Sequence, residues 1–283
     1  MNRPCLCFLS ALTLTAGLFA QDPKIQLPKL SPTVTVKQNV GLTDIDLVYS
    51  RPGVKGREIF GKMIPFGSVW RTGANASTKI SFSTPVKLNG SEIPAGAYAL
   101  YTIPGEREWT IIVYKDTSLW GAFGYDQKND LVRIPATAVK LADSVETFTI
   151  DINDIRTESA TLNLIWDKTK VPVKLEYETV NKALAQVESA MAAPGQKPGD
   201  FYYDALEFCL INGVALQKAA AWADQAIAQY PKAGWIIHEK AGILAKLGDK
   251  AGAIAAAKLS SATNSADGGL AQANEALVAS LNQ

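Results

Sequence analysis

"YSRPGVKGREIFGKMIPFGSVWRTGAN", residues 49–75, gathers the side chains of this chain best suited to chemistry. It holds five cations (Arg51, Lys55, Arg57, Lys62 and Arg71), five glycines and one acid, Glu58. An arginine on a tight turn presents a planar fork of donors that matches a carboxylate, phosphate or sulfate. Arg51 opens Arg51-Pro52-Gly53, and Lys55-Gly56-Arg57 follows at once. Trp70-Arg71 then leads into Thr72-Gly73-Ala74-Asn75, so an indole stands beside a guanidinium. The residues expected to hold an anionic or carbohydrate ligand are Arg51, Lys55, Arg57, Trp70, Arg71 and Asn75. Trp70 would either stack on a sugar face or pack in the core. The competing reading is structural, with the arginines satisfying loop carbonyls and Glu58. Loops this long are usually functional or disordered, and Ile59, Phe60 and Trp70 argue against disorder.

Other chemistry finds less footing. A hydrolase acting on an envelope polymer could use Arg51 and Arg71 to stabilise an oxyanion. Its acid or base would have to be Tyr49, Glu58 or Asp126. The single histidine, His238, falls in an Ala-rich helical stretch, so histidine offers no base near these residues. Neither a Cys/His zinc spacing, nor a P-loop, nor a Gly-x-Ser-x-Gly elbow is present. Asp44 and Asp46 lie two apart and read as one wet strand face. No metal or cofactor is expected. Cys209 in "LEFCLI" reads as a buried thiol.

Two kinds of element must position these groups. From Thr33 to about Glu178 the period is two. Ile45, Leu47 and Tyr49 alternate with polar residues, as do Phe148, Ile150 and Ile152, and Leu162, Leu164 and Trp166. Asn89-Gly90 marks one hairpin and "PGERE" another. Nine or ten short strands with close turns predict an antiparallel β-sandwich over 30–178. After Glu178 the spacing becomes helical, and residues 179–199 read as a helix and linker ending in "APGQKPGD". Four Ala-rich helical segments are expected from Asp200 onward. The fold class is therefore α+β. The last segments resemble tetratricopeptide repeats, with Ala241, Ala253 and Ala257 at small positions and Gly248-Asp249 at the turn. Ala219, Ala223, Ala226 and Pro231 stand one period of 34 earlier. Glu207 departs from that pattern. Two such units are fewer than independent stability usually needs, so the module should lean on the sandwich or on the helix before it.

Residues 1–20 read as a cleaved secretory signal, with Arg3, an apolar run and Ala20 before the polar "QDPK". An uncleaved anchor is the alternative. The expected location is periplasmic or secreted, with no stable membrane span after cleavage. Cys5 and Cys7 would leave with the signal, and Cys209 would remain without a disulfide partner. Losing Arg3 takes the 28 basic residues to 27, against 27 acidic ones. A balanced chain argues against nucleic-acid binding, so the basic stretch is a local feature.

"GLTDIDLVYSRPGVKGREIFG", "IPFGSVWRTGANASTKISFS", "IPAGAYALYTIPGEREWTIIVYK" and "WGAFGY" closely resemble the secreted bacterial domain of unknown function 2911 family, over about Leu30 to Glu178. The resemblance implies a β-rich envelope or secreted domain, often followed by tetratricopeptide-like helices. It implies no activity and no catalytic residues. Three readings stand together: a binding module with a protein partner on its helices, a hydrolase, and a helical scaffold with the sandwich as spacer.

Overall fold

The computed structural model describes residues 27–263 and 268–283. The expected signal segment lies outside the described residues. The described residues form ten strands followed by six helices. β1 (Thr33–Val40), β2 (Thr43–Ser50), β3 (Ala74–Phe82), β6 (Gly96–Ile103), β7 (Glu108–Tyr114) and β8 (Asp130–Thr137) make one antiparallel sheet in the order β1-β2-β3-β6-β7-β8. β4 (Val86–Leu88), β5 (Ser91–Ile93), β9 (Val139–Asn153) and β10 (Ser159–Tyr177) make the second, in the order β5-β4-β10-β9. The period-two residues face inward between the sheets. Ile45, Leu47, Tyr49, Phe148, Ile150, Leu162, Leu164 and Trp166 are all buried in one core, while Asp44 and Asp46 are exposed.

Both expected hairpins form. Asn89 and Gly90 have φ of 44° and 81° in the two-residue turn between β4 and β5, a conformation that glycine and asparagine tolerate best. β6 and β7 pair around the second turn. Two strands are much longer than expected, β9 with 15 residues and β10 with 19. A proline inside a central strand would normally break its ladder. In β10 it does not, because Pro172 falls between the stretch paired to β9, which ends at Lys170, and the stretch paired to β4, which begins at Leu175. Asn89 bridges that gap, taking Lys174 N–H on its side-chain oxygen at 2.7 Å.

The helices are α1 (Val180–Ala192), α2 (Gly199–Asn212), α3 (Leu216–Gln229), α4 (Gly234–Lys246), α5 (Lys250–Thr263) and α6 (Gly268–Leu281). Ala219, Ala223, Ala226, Ala241, Ala253 and Ala257 are fully buried, so the small positions do bring helices together. Gly213 and Gly248 stand at positive φ where α2 and α4 end. Leu184 and Met191 of α1 pack on the core formed by α2, α3 and α4, so the module leans on the preceding helix. The fifth helix after Asp200, α6, goes beyond the four segments expected. It is held by a polar network: Asn274 is buried and donates to Ser260 Oγ at 2.9 Å, while its oxygen meets His238 Nδ1 at 2.7 Å. No helix among the described residues is long and apolar enough to cross a membrane.

A basic cleft at a break in the large sheet

The crossover from β2 to β3, residues 51–73, is ordered by bonds to both sheets. Gly53 bridges Thr147 of β9, Val54 N–H donates to Glu146 O at 2.7 Å, and Phe148 N–H donates to Pro52 O at 2.9 Å. At its other end Trp70 exchanges two backbone hydrogen bonds with Thr102 of β6, at 2.7 and 2.9 Å. Trp70 thus takes the place beside β6 that β3 would fill if it ran straight. β3 instead flares toward β2. Ser50 pairs with Ala74 and Val48 with Lys79, so residues 75–78 stand against Tyr49 alone. Three residues at or near the bend take positive φ, Thr72, Gly73 and Asn75. At Gly73 a Cβ would lie 2.9 Å from Ser50 O, so only glycine fits that approach.

This bulge opens a cleft of about 1140 Å³. Its floor is aromatic. Trp70 is 4% exposed, stacks on Trp166 at 5.9 Å, packs edge-on against Phe148 at 5.1 Å, and donates Nε1–H to Gly73 O at 3.0 Å. Trp70 therefore packs in the core and meets the cleft from below. Lys29, Lys55, Arg57, Arg71 and Lys79 line the walls, and no aspartate, glutamate or histidine among the described residues lines it. None of these five cations makes an ion pair among the described residues. Glu146 touches the same loop, but through its Oε1, which accepts Lys55 N–H at 3.0 Å.

The six expected site residues divide. Lys55, Arg57, Trp70, Arg71 and Asn75 all line the cleft. Arg51 does not. Its Nε donates to Phe148 O at 3.0 Å and its Nη2 to Thr149 Oγ1 at 2.7 Å, so two of its donors tie the end of β2 to β9. Arg51 therefore stands apart from the cleft lining that the other five share. Arg57 is bonded to its own loop, through Nε to Val54 O at 3.0 Å and through Nη2 to Gly53 O at 2.5 Å, but remains exposed. Asn75 uses its amide to hold Ser31 O and Ser50 Oγ, each at 3.3 Å, which fixes one wall. Arg71 differs from the lysines of the lining by its burial. It is half-buried, and its Nε is wholly buried with no hydrogen-bond partner among the described residues. Burial pulls its pKa below the usual guanidinium value, with the Tyr101 hydroxyl acting weakly the other way, although arginine stays charged at any working pH.

Lys29, Lys79, Trp120 and Trp166 also line the cleft and were not anticipated as site residues. Lys79 was reachable, because alternation along β3 sends it outward between buried Thr78 and Ile80. Lys29 and Trp120 lie outside any periodic pattern. Of the acid–base candidates, Tyr49 lines the cleft but has its hydroxyl engaged, while Asp126 and Glu58 lie outside the lining. Tyr49 Oη is buried and accepts Ile150 N–H at 2.8 Å while meeting Ile150 O at 3.1 Å. Asp126 accepts Lys128 N–H at 3.0 Å at the start of a 3-10 turn, and Glu58 is exposed outside the cleft lining. Among the described residues no cluster of three or more His, Cys, Asp or Glu is arranged to hold a metal ion.

Fold and site define an antiparallel β-sandwich with a basic cleft at a sheet break, followed by a helical module. The family model described as "Protein of unknown function (DUF2911)" matches residues 31–175, more than half of the 283-residue chain, and the chain belongs to that family. No curated protein and no solved structure matches it.

Proposed function

We propose that this chain is an exported binding protein of the cell envelope, and that the cleft between β2 and β3 receives an anionic ligand anchored by Arg71. One observation carries the reading: Arg71 is partly withdrawn from water and its Nε has no partner among the described residues, in a cleft that those residues line with four more cations and no carboxylate. Burying an unpaired polar or charged group is unfavourable, and such groups persist where something else compensates. An anion supplies the missing partner at once. The same lining offers no acid–base pair beside the cations, which favours binding over hydrolysis. The helices supply a second surface for a protein partner, where half-buried Tyr203 and Trp235 flank Asp200 in a hollow of about 260 Å³.

The ligand reading is tested on the full chain by melting with sulfate and with citrate at matched ionic strength. Both anions should raise the melting temperature of the wild type. Arg71→Gln should lose most of that rise, and high sodium chloride should diminish it, because exposed charge is screened over about 10 Å at 0.1 M salt. An equal rise in wild type and Arg71→Gln would overturn the anion site. Export is tested separately by intact mass: protein recovered outside the cytoplasm should begin near Gln21, and one still starting at Met1 would refute it.

A further inference from the structure

The segment between β7 and β8, residues 115–129, is tethered along its length. Ser77 Oγ donates to Leu119 O at 3.1 Å, Tyr101 Oη to Gly121 O at 2.8 Å, and Asp126 N–H to Tyr114 Oη at 3.3 Å. Tyr125 stacks on Tyr114 at 5.1 Å and donates to Asp130 Oδ1 at 2.6 Å, while Arg133 donates to Tyr125 Oη at 2.9 Å. Leu119, Ala122 and Tyr125 pack on Tyr101, Ile112 and Tyr114. So well anchored a segment could bury its largest apolar side chain. It leaves Trp120 70% exposed instead.

A single exposed apolar residue needs no special account. Trp120 differs by its position, because it lines the basic cleft. Its neighbour Gly121 sits where a Cβ would lie 3.7 Å from Arg71 Nη1, so the indole and the free guanidinium share one mouth. The same lining carries short polar groups already held in place. Thr33 Oγ1 and Ser50 Oγ lie 3.1 Å apart, and Asn75 donates to the same Ser50 oxygen. A cation fork, an aromatic face and fixed hydroxyls together match a ligand with negative charge, an apolar ring face and many hydroxyls. The volume of about 1140 Å³ also exceeds the roughly 300–1,000 Å³ of pockets that hold one drug-sized molecule.

We propose that the cleft takes an acidic oligosaccharide, with a carboxylate or sulfate on Arg71 and an adjacent sugar ring on the face of Trp120. This rests on the anion-binding reading of the same cleft and adds the class of ligand. A simple anion would use Arg71 and ignore Trp120. A nucleotide would also bring charge and a flat ring, but it gives the hydroxyl-bearing wall little to bind.

The test is calorimetric titration of the full chain at low salt with tetragalacturonate, a chondroitin sulfate tetrasaccharide, maltotetraose, sodium sulfate and a thymidine tetranucleotide. At least one acidic tetrasaccharide should bind about tenfold or more tighter than maltotetraose and the tetranucleotide. The uronate or the sulfated probe, whichever binds better, identifies the anionic group. Trp120→Ala should weaken that tetrasaccharide about tenfold, a loss on the scale of one aromatic stacking contact, and leave sulfate binding unchanged. Trp120→Phe, which keeps a ring, should recover most of the loss. Unchanged tetrasaccharide binding in Trp120→Ala would overturn the sugar assignment and leave the anion site standing, as would preferred binding of the tetranucleotide. Full retention of all binding in Arg71→Gln, or no binding of any probe by the wild type, would overturn both.

Discussion

The two ends of the β2–β3 crossover carry the same side chain in opposite circumstances. Arg51 gives two donors to Phe148 and Thr149 on the facing sheet, whereas Arg71 stands half-buried with its Nε unpartnered among the described residues. They share a stretch, a charge and an origin on turns, yet one stitches the sandwich and the other lines its cleft. The acceptors within reach decide the role of an arginine, and the first acceptor of Arg51 lies 97 residues further along the chain. Charge content alone therefore cannot tell a brace from a binding group.

Substitutions can break or sharpen this contrast. The largest effect should come from the ground common to both ends. Trp70→Ala would empty the aromatic floor and cost about 3–5 kcal/mol, the range for truncating a large buried aromatic. Urea denaturation reads this directly, and a loss near zero would mean the floor is not packed as described. Next, Arg51→Ala should cost about 1–3 kcal/mol, since it strands Phe148 O and leaves Thr149 Oγ1 only its bond to Thr147 O. Arg71→Ala should cost nothing measurable or stabilise, while removing the response to sulfate. Equal losses at the two positions would erase the contrast.

The helical module offers the same situation with the sign of charge reversed. Glu239 is 6% exposed, and its Oε2 has no hydrogen-bond partner among the described residues. Burial raises its pKa above the usual carboxylate value. His238 opposes that shift, and Glu207 adds to it. A carboxyl with a raised folded pKa favours the native state while both states are protonated, at pH below its unfolded value near 4.3. That contribution is lost as pH climbs from there through the folded pKa. Glu239→Gln should therefore stabilise the protein at pH 7–8, by about 1 kcal/mol or less, and flatten its stability over that window. Melting curves from pH 4 to 8 would show the two proteins converging at the acid end, and parallel curves would refute it. The smallest expected effect concerns Cys209, whose thiol is buried and pushed up to about 11, chiefly by desolvation and secondarily by Glu188. At pH 8 a thiol reagent should label it only as fast as the native protein opens.

Much of this architecture was legible because local pattern dictated it. Alternating Ile45, Leu47 and Tyr49 could sit in one register only, and Asn89-Gly90 could make few turns other than the observed one. α6 was less legible, because its segment is rich in alanine and its most buried anchor is the polar side chain of Asn274, beside only the half-buried Leu277 and Val278. The length of β10 was hidden by Pro172, whose missing N–H is harmless only because two different partners flank it. The candidate site was half legible. Composition marked the crossover, and five of its six named residues do line the cleft. The flare of β3, the turning of Arg51 to the other sheet and the arrival of Trp120 are tertiary events, set by contacts that no neighbouring residues encode.

The break in pairing between β2 and β3 has an evolutionary consequence. Pairing resumes at Val48 and Lys79, before Ile80 and Phe82 reach their inward places. Residues gained or lost in the exposed turns of the crossover, such as 55–58 and 66–68, would be absorbed upstream of that point and would leave the parity of every later side chain intact. The break works as a splice. On one side segments can be exchanged and so redraw the lining of the cleft, and on the other the strands keep an unaltered frame.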